Sequence, residues 1–260
     1  MRRALGSPES RILDVGGFRV HVRVEGEGEP VLLLSGLGQP LESWDPFVAS
    51  LGERRVVRFD APGVGRSASA MLPASMASLA SLAVAVLDVV GIDRADVVGF
   101  SLGGAVAQQL AYSFPARVRR LVLVATSCGL GSTPGRWDVT DALNASSVAD
   151  PTDVLGLVWH ALAIASWSSI PFLAHLTQPT LVVCGRDDVV APPANGRVLA
   201  SRIARAELVT LCTDHAMLKP GPATELAHVV ERFLGVTDAD PEVGPTSAQR
   251  PALASSFTNA

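Results

Sequence analysis

Runs of Val, Leu and Ile alternate along the chain with longer segments whose apolar residues recur at helical spacing. Continuous apolar runs mark strands buried on both faces, and amphipathic segments between them supply the cover, so the pattern predicts a parallel sheet with helices on both sides. The strands fall at VLLLSG (residues 31–36), RVVRFD (55–60), ADVVGF (95–100), RLVLVAT (120–126), TLVVCG (180–185) and AELVTLC (206–212). Helices are predicted over 41–51, 74–90, 102–114, 193–203 and 222–234, the second opened by the start signal PAS at 73–75. The beginning of the chain differs. ILDVGGFRVHVRVEG alternates apolar and polar residues around Gly16-Gly17, which predicts a tight hairpin and an antiparallel edge ahead of the parallel strands.

One interval breaks the rhythm. About fifty residues separate Thr126 from Thr180, where a simple crossover needs roughly 10 to 20. This insertion opens with the turn-rich SCGLGSTPG and later contains DPTDVLGLVWHALAIASW, a helix with cap candidates Asp150, Thr152 and Asp153. Leu155, Leu157, Val158, Trp159, Leu162 and Ile164 are read there as an apolar stripe. The chain thus divides into a core (1–127), an insertion (128–177), the rest of the core (178–236) and a tail (237–260). The tail is rich in Pro, Ser and Asp without apolar period and reads as disordered.

Composition narrows the function classes. A chain of 260 residues accommodates one α/β domain with a sizeable core, and 48% hydrophobic residues exclude disorder as a whole. A net charge of −4 argues against a nucleic-acid partner. Three scattered cysteines, Cys128, Cys184 and Cys212, make no disulfide framework and no CxxC pair; all three are read as packed near strand ends, and a cytoplasmic location is expected. No apolar stretch reaches the ~18 residues of a membrane helix, and no His/Cys/Asp cluster has ligand spacing, so neither an integral membrane segment nor a metal is expected.

The chemistry concentrates at GFSLG (99–103), where Ser101 stands between a buried strand and a helix. A G-x-S-x-G sequence in that context is a nucleophile elbow: the sharp turn lifts the serine hydroxyl above the sheet, and the flanking glycines let neighbouring segments pass. The positive end of the following helix, with the N–H of Leu102, can stabilise an oxyanion. A second donor is expected from the loop LLLSGLGQP, where Gly36 and Gly38 allow the bend and Leu37 carries the N–H.

A serine nucleophile requires a base and an orienting acid. Of five histidines, His21 lies in the early hairpin, His160 and His175 in the insertion and His228 in the last helix. His215 alone follows a strand end. For the acid, Asp188 is preferred over Asp187 and Asp214, because it follows its strand at a distance from which it can curl back to a histidine on the neighbouring loop. Asp60 ends another strand, but binding the amides of the APGVGRS turn accounts for it.

Taken together, LLLSGLGQPLESW, FDAPGVGRS, GFSLGGAVAQQLA, QPTLVVCGRDDVVAPP and DHAMLKP resemble the α/β-hydrolase superfamily, to about residue 235. Within it, GGAVAQQ and WSSIPFLAHLTQPTLV are similar to the intracellular medium-chain poly(3-hydroxyalkanoate) depolymerases. The resemblance implies an α/β-hydrolase fold with a mostly parallel eight-stranded sheet, a triad of Ser101, Asp188 and His215, oxyanion donors Leu37 and Leu102, and no cofactor. It makes residues 128–177 a short helical lid. If part of the apolar stripe there faces the cleft, Trp159 lines the acyl pocket; the alternative is that the stripe only packs on the domain. Ser35 stands where such families carry Asn or His, and CTDH replaces a GH pair. The substrate expected is a small or oligomeric ester, with medium-chain acyl or 3-hydroxyacyl groups favoured. Lactone or carbon–carbon bond hydrolysis is the alternative within enzymes, and a non-enzymatic binding protein the alternative outside them.

Overall fold

In the computed structural model, residues 9–69, 73–136 and 154–235 are described. Gly16 and Gly17 both take positive φ, 59° and 85°, as a two-residue hairpin turn demands. They join β1 (Glu9–Val15) to β2 (Phe18–Glu25), with Val15 opposite Phe18. The parallel strands are β3 (Pro30–Leu34), β4 (Arg55–Phe59), β5 (Ala95–Phe100), β6 (Val118–Val124), β7 (Thr180–Gly185) and β8 (Ala206–Leu211). The sheet has eight strands in the order β1-β2-β4-β3-β5-β6-β7-β8. The β1–β2 and β2–β4 pairings are antiparallel and all others parallel, so β3 to β8 open their carboxyl ends on one side.

Alternate residues of the central strands enter opposite cores. Leu32, Leu34, Val97 and Leu121 pack toward α2 (Met76–Val89) and α3 (Leu102–Ser113). Val31, Leu33, Val98 and Val122 pack toward α6 (Pro222–Leu234) and the aromatic pair Trp44 and Phe47. Ser75 caps α2 through a reciprocal box with Ser78, and α5 (Pro193–Arg202) lies against β7 and β8.

Three expectations are corrected. The helix expected over 41–51 is a 3₁₀ turn, Leu41–Trp44, followed by the single turn α1 (Asp45–Val48). Pro46 is the reason, since a ring without an N–H cannot extend a helix backward and is accommodated only in a first turn. Cys128 and Cys184 are buried as expected, but Cys212 is exposed. It follows β8, the sheet's last strand, most of whose residues are exposed or half-buried.

The third correction concerns the insertion. Its helix, α4 (Val154–Ala165), buries Gly156, Leu157, His160 and Ala163 and leaves Leu155, Val158 and Leu162 exposed. The six residues read as one stripe lie on two faces: at 100° per residue, 155, 158, 159 and 162 cluster together while 157 and 164 fall opposite. The return from α4 is tied to α3. Ser169 Oγ donates to Gln108 Oε1 at 2.7 Å, and Trp167 Nε1 donates to Gln109 Oε1 at 2.7 Å. Asp150, Thr152, Asp153 and the tail from Thr237 lie outside the described residues. Among the described residues, no helix is long and apolar enough to cross a membrane.

Candidate active site

Ser101 sits between β5 and α3 with φ 53° and ψ −117°, a backbone state that side-chain-bearing residues rarely adopt and that stores strain. Packing holds it there. The Ser101 N–H donates to the Val124 carbonyl at 2.9 Å, and Thr126 Oγ1 donates to the Ser101 carbonyl at 2.7 Å. A Cβ at Gly99 would come within 2.3 Å of the Gly103 carbonyl oxygen, and one at Gly103 within 2.1 Å of the Leu34 oxygen. Only glycines therefore let the first turn of α3 close against both β5 and the end of β3.

His215, on the loop after β8, reaches over this turn. Its Nε2 lies 3.3 Å from Ser101 Oγ and its Nδ1 2.8 Å from Asp188 Oδ2. The ring leans on Phe100, centroids 5.0 Å apart. Asp188, 3% exposed, accepts from the N–H groups of Val190 and Ala191 through its other oxygen, at 2.9 and 2.8 Å. Both oxygens are thus committed, and the carboxylate is fixed in aim. Asp187 is exposed beside Arg186, and Asp214 accepts from the Ala216 N–H on its own turn. Of the three candidate acids, Asp188 alone touches the imidazole.

The loop after β3 makes a tight turn, with the Gln39 N–H donating to the Gly36 carbonyl at 3.1 Å and Gly38 at φ 68°. Leu37 occupies its first corner, where its N–H takes no part in the turn's own bond. Leu102 opens α3, so its N–H has no acceptor within the helix. Ser35 accepts from Trp44 Nε1 at 3.1 Å and anchors the loop. Asp60 serves structure, accepting from the N–H groups of Leu41 and Arg66 and lying 2.7 Å from His21 Nδ1.

A small cavity adjoins the site, lined by Ser35, Gly36 and Gln39 from the loop, Leu102, Gly103 and Val106 from α3, and His160 from α4, among others. Trp159, the residue expected to face substrate, is not on its wall; its neighbour His160 is. His160 and Gln39 were not legible as site residues. The available signal was the face of α4 that carries Gly156, His160 and Ala163, small residues flanking one polar one at helical spacing.

Residues 29–147 match the family model of the α/β hydrolase fold. The chain belongs to the α/β-hydrolase superfamily, and it is a hydrolase of that fold. It is 32% identical over 238 residues to the poly(3-hydroxyalkanoate) depolymerase of Ectopseudomonas oleovorans, covering 79% of this chain and 84% of that one. It is 26% identical over 239 residues to a 2-hydroxy-6-oxononadienedioate/2-hydroxy-6-oxononatrienedioate hydrolase of Comamonas testosteroni, covering 75% and 83%. The crystal structure of an enol-lactonase from Burkholderia xenovorans superposes with a TM-score of 0.78 at 28% identity, covering 86% of this chain and 99% of that one.

Proposed function

We propose that this chain is a serine hydrolase of carboxylic esters, acting through an acyl-enzyme on medium-chain acyl or 3-hydroxyacyl substrates. The observation that carries the reading is the continuous relay from Ser101 Oγ through His215 to Asp188 at the carboxyl edge of the sheet. Ser101 Oγ attacks the ester carbonyl carbon as His215 Nε2 takes its proton, and Asp188 holds the imidazole in the tautomer that leaves Nε2 free to do so. The oxyanion is held by the N–H groups of Leu37 and Leu102. His215 then gives the proton to the departing alkoxide, and water, activated by the same nitrogen, releases the acid and restores the serine. The similarity to a poly(3-hydroxyalkanoate) depolymerase supports the hydroxyacyl class, and residues 128–177 would be the lid over that acyl group.

A second reading, lactone hydrolysis, is favoured by the superposition on an enol-lactonase along nearly that protein's whole length. One assay series separates the two. Ser101→Ala should abolish labelling by a fluorophosphonate probe while the far-ultraviolet spectrum stays native, since the hydroxyl contributes chemistry and not packing. Labelling that persists at another serine would refute the assignment. In an ester panel, each methylene buried adds about 0.8 kcal/mol, roughly a fourfold gain in kcat/KM per carbon up to the length of the pocket. A profile that peaks at acetate, with faster turnover of small lactones, would select the second reading.

A further inference from the structure

The cavity beside the elbow is mostly apolar, with Leu34, Phe59, Leu79 and Val106 in its wall. Three polar side chains also line it: Ser35, Gln39 and His160. Ser35 is already engaged by Trp44. In the other two, one atom each is unpaired: Gln39 Oε1 and His160 Nδ1 are both sealed from solvent and have no hydrogen-bond partner among the described residues. Buried polar atoms are almost always paired, so an orphan on each of two residues that line one cavity calls for a group that completes them. His160 is 1% exposed, on the buried face of α4.

The chemistry of the missing group follows from the donors and acceptors. Gln39 Oε1 only accepts. Burial pushes the His160 ring pKa down to about 4, so near neutral pH the imidazole is uncharged and Nδ1 can carry a proton to donate. The complement of one acceptor and one donor is a hydroxyl. A methyl would leave both atoms unpaired, and a carboxylate would meet a carbonyl oxygen and a neutral ring with no cation to balance it. Size agrees, because a cavity of about 30 Å³ has room for a hydroxyl group. Leu102 and Gly103, directly after Ser101, share the wall.

We infer that Gln39 and His160 form a specificity subsite that receives a hydroxyl of the substrate close to the reacting carbonyl, the hydroxyl donating to Gln39 Oε1 and accepting from His160 Nδ1–H. This rests on the serine-hydrolase reading above and makes hydroxylated acids its preferred acyl groups. His160 and Gln39 select among substrates and take no part in proton transfer at Ser101.

The test compares p-nitrophenyl esters of matched chain length with and without a hydroxyl on the acyl chain, in wild type, Gln39→Leu, His160→Leu and His160→Asn. A site built to bond a hydroxyl discriminates strongly against the analogue that lacks it. Wild type is expected to favour the hydroxylated ester by at least tenfold in kcat/KM. The ratio should collapse toward one in Gln39→Leu and His160→Leu, the loss falling on the hydroxylated ester. His160→Asn, which can set an amide group where Nδ1 stood, should retain part of the preference. If His160→Leu does not fold, Gln39→Leu and His160→Asn still decide. Full probe labelling with no hydroxyl preference in wild type would mean that the cavity holds a water only, overturning the subsite while leaving the hydrolase intact. A preference that survives Gln39→Leu would also overturn it. Loss of all labelling would instead strike the serine-hydrolase reading itself.

Discussion

Three acidic residues crowd the loops near His215, and burial separates them. Asp188 commits one oxygen to the imidazole and the other to two amides, whereas Asp187 and Asp214 face solvent. An amide at 188 would still fit but would stabilise the wrong tautomer of His215, removing the base. Asp188→Asn is therefore expected to lower kcat by roughly 10³ to 10⁴. Asp187→Asn and Asp214→Asn should stay within a few-fold, as measured by ester hydrolysis at saturating substrate. A comparable loss at either neighbour would move the acid. At this scale the sequence was informative wherever chemistry demanded a residue type at a strand end, as for Ser101 and His215. It was silent on Gln39 and His160, because a glutamine in a loop and a histidine in an apolar helix carry no motif. Only the helix rotation that turns His160 inward, and the turn that brings Gln39 beside Gly36, give them a shared wall.

Strand positions were legible to within a residue or two, because a strand buried on both faces leaves a short continuous apolar run bounded by turn residues. The helices were less so. Pro46 interrupts what periodicity alone reads as one helix, and α4 is apolar nearly all round, so its sequence does not tell which face turns inward. Small residues decide it. A Cβ at Gly156 would lie 2.7 Å from Gly63 Cα and 2.8 Å from the Gly63 oxygen, so the helix seats only where glycine meets glycine. Gly156→Ala poses two opposed effects. Alanine improves helix propensity by about 1 kcal/mol, while overpacking two backbones costs roughly 1–3 kcal/mol. The contact is backbone on backbone and cannot be relieved by a rotamer change, so the clash should win. The variant is expected to melt a few degrees lower than wild type and to lose selectivity between hydroxylated and plain esters as α4 shifts. A higher melting temperature with unchanged selectivity would show that α4 is not seated by this contact.

At the scale of the whole molecule, the neutral histidine of the cavity links the site to stability. Burial holds the His160 ring at a pKa of about 4, against 6.5 for a free imidazole. Between those values the unfolded chain binds a proton that the folded chain refuses, so acid favours unfolding. The sign is fixed: the contribution is complete above pH 6.5 and is lost as the pH falls from there toward 4. At about 1.36 kcal/mol per unit, the interval corresponds to roughly 3 kcal/mol, a sizeable part of the roughly 5–15 kcal/mol that keeps a domain folded. Other groups titrate over the same range, but they are common to wild type and a variant, so the difference between the two isolates His160. In urea unfolding followed from about pH 7 to pH 4, wild type should therefore lose stability more steeply than His160→Leu, by up to about 3 kcal/mol across the interval. Parallel curves would mean that the folded protein admits the proton at His160, and a ring that charges so readily is not sealed in the cavity wall.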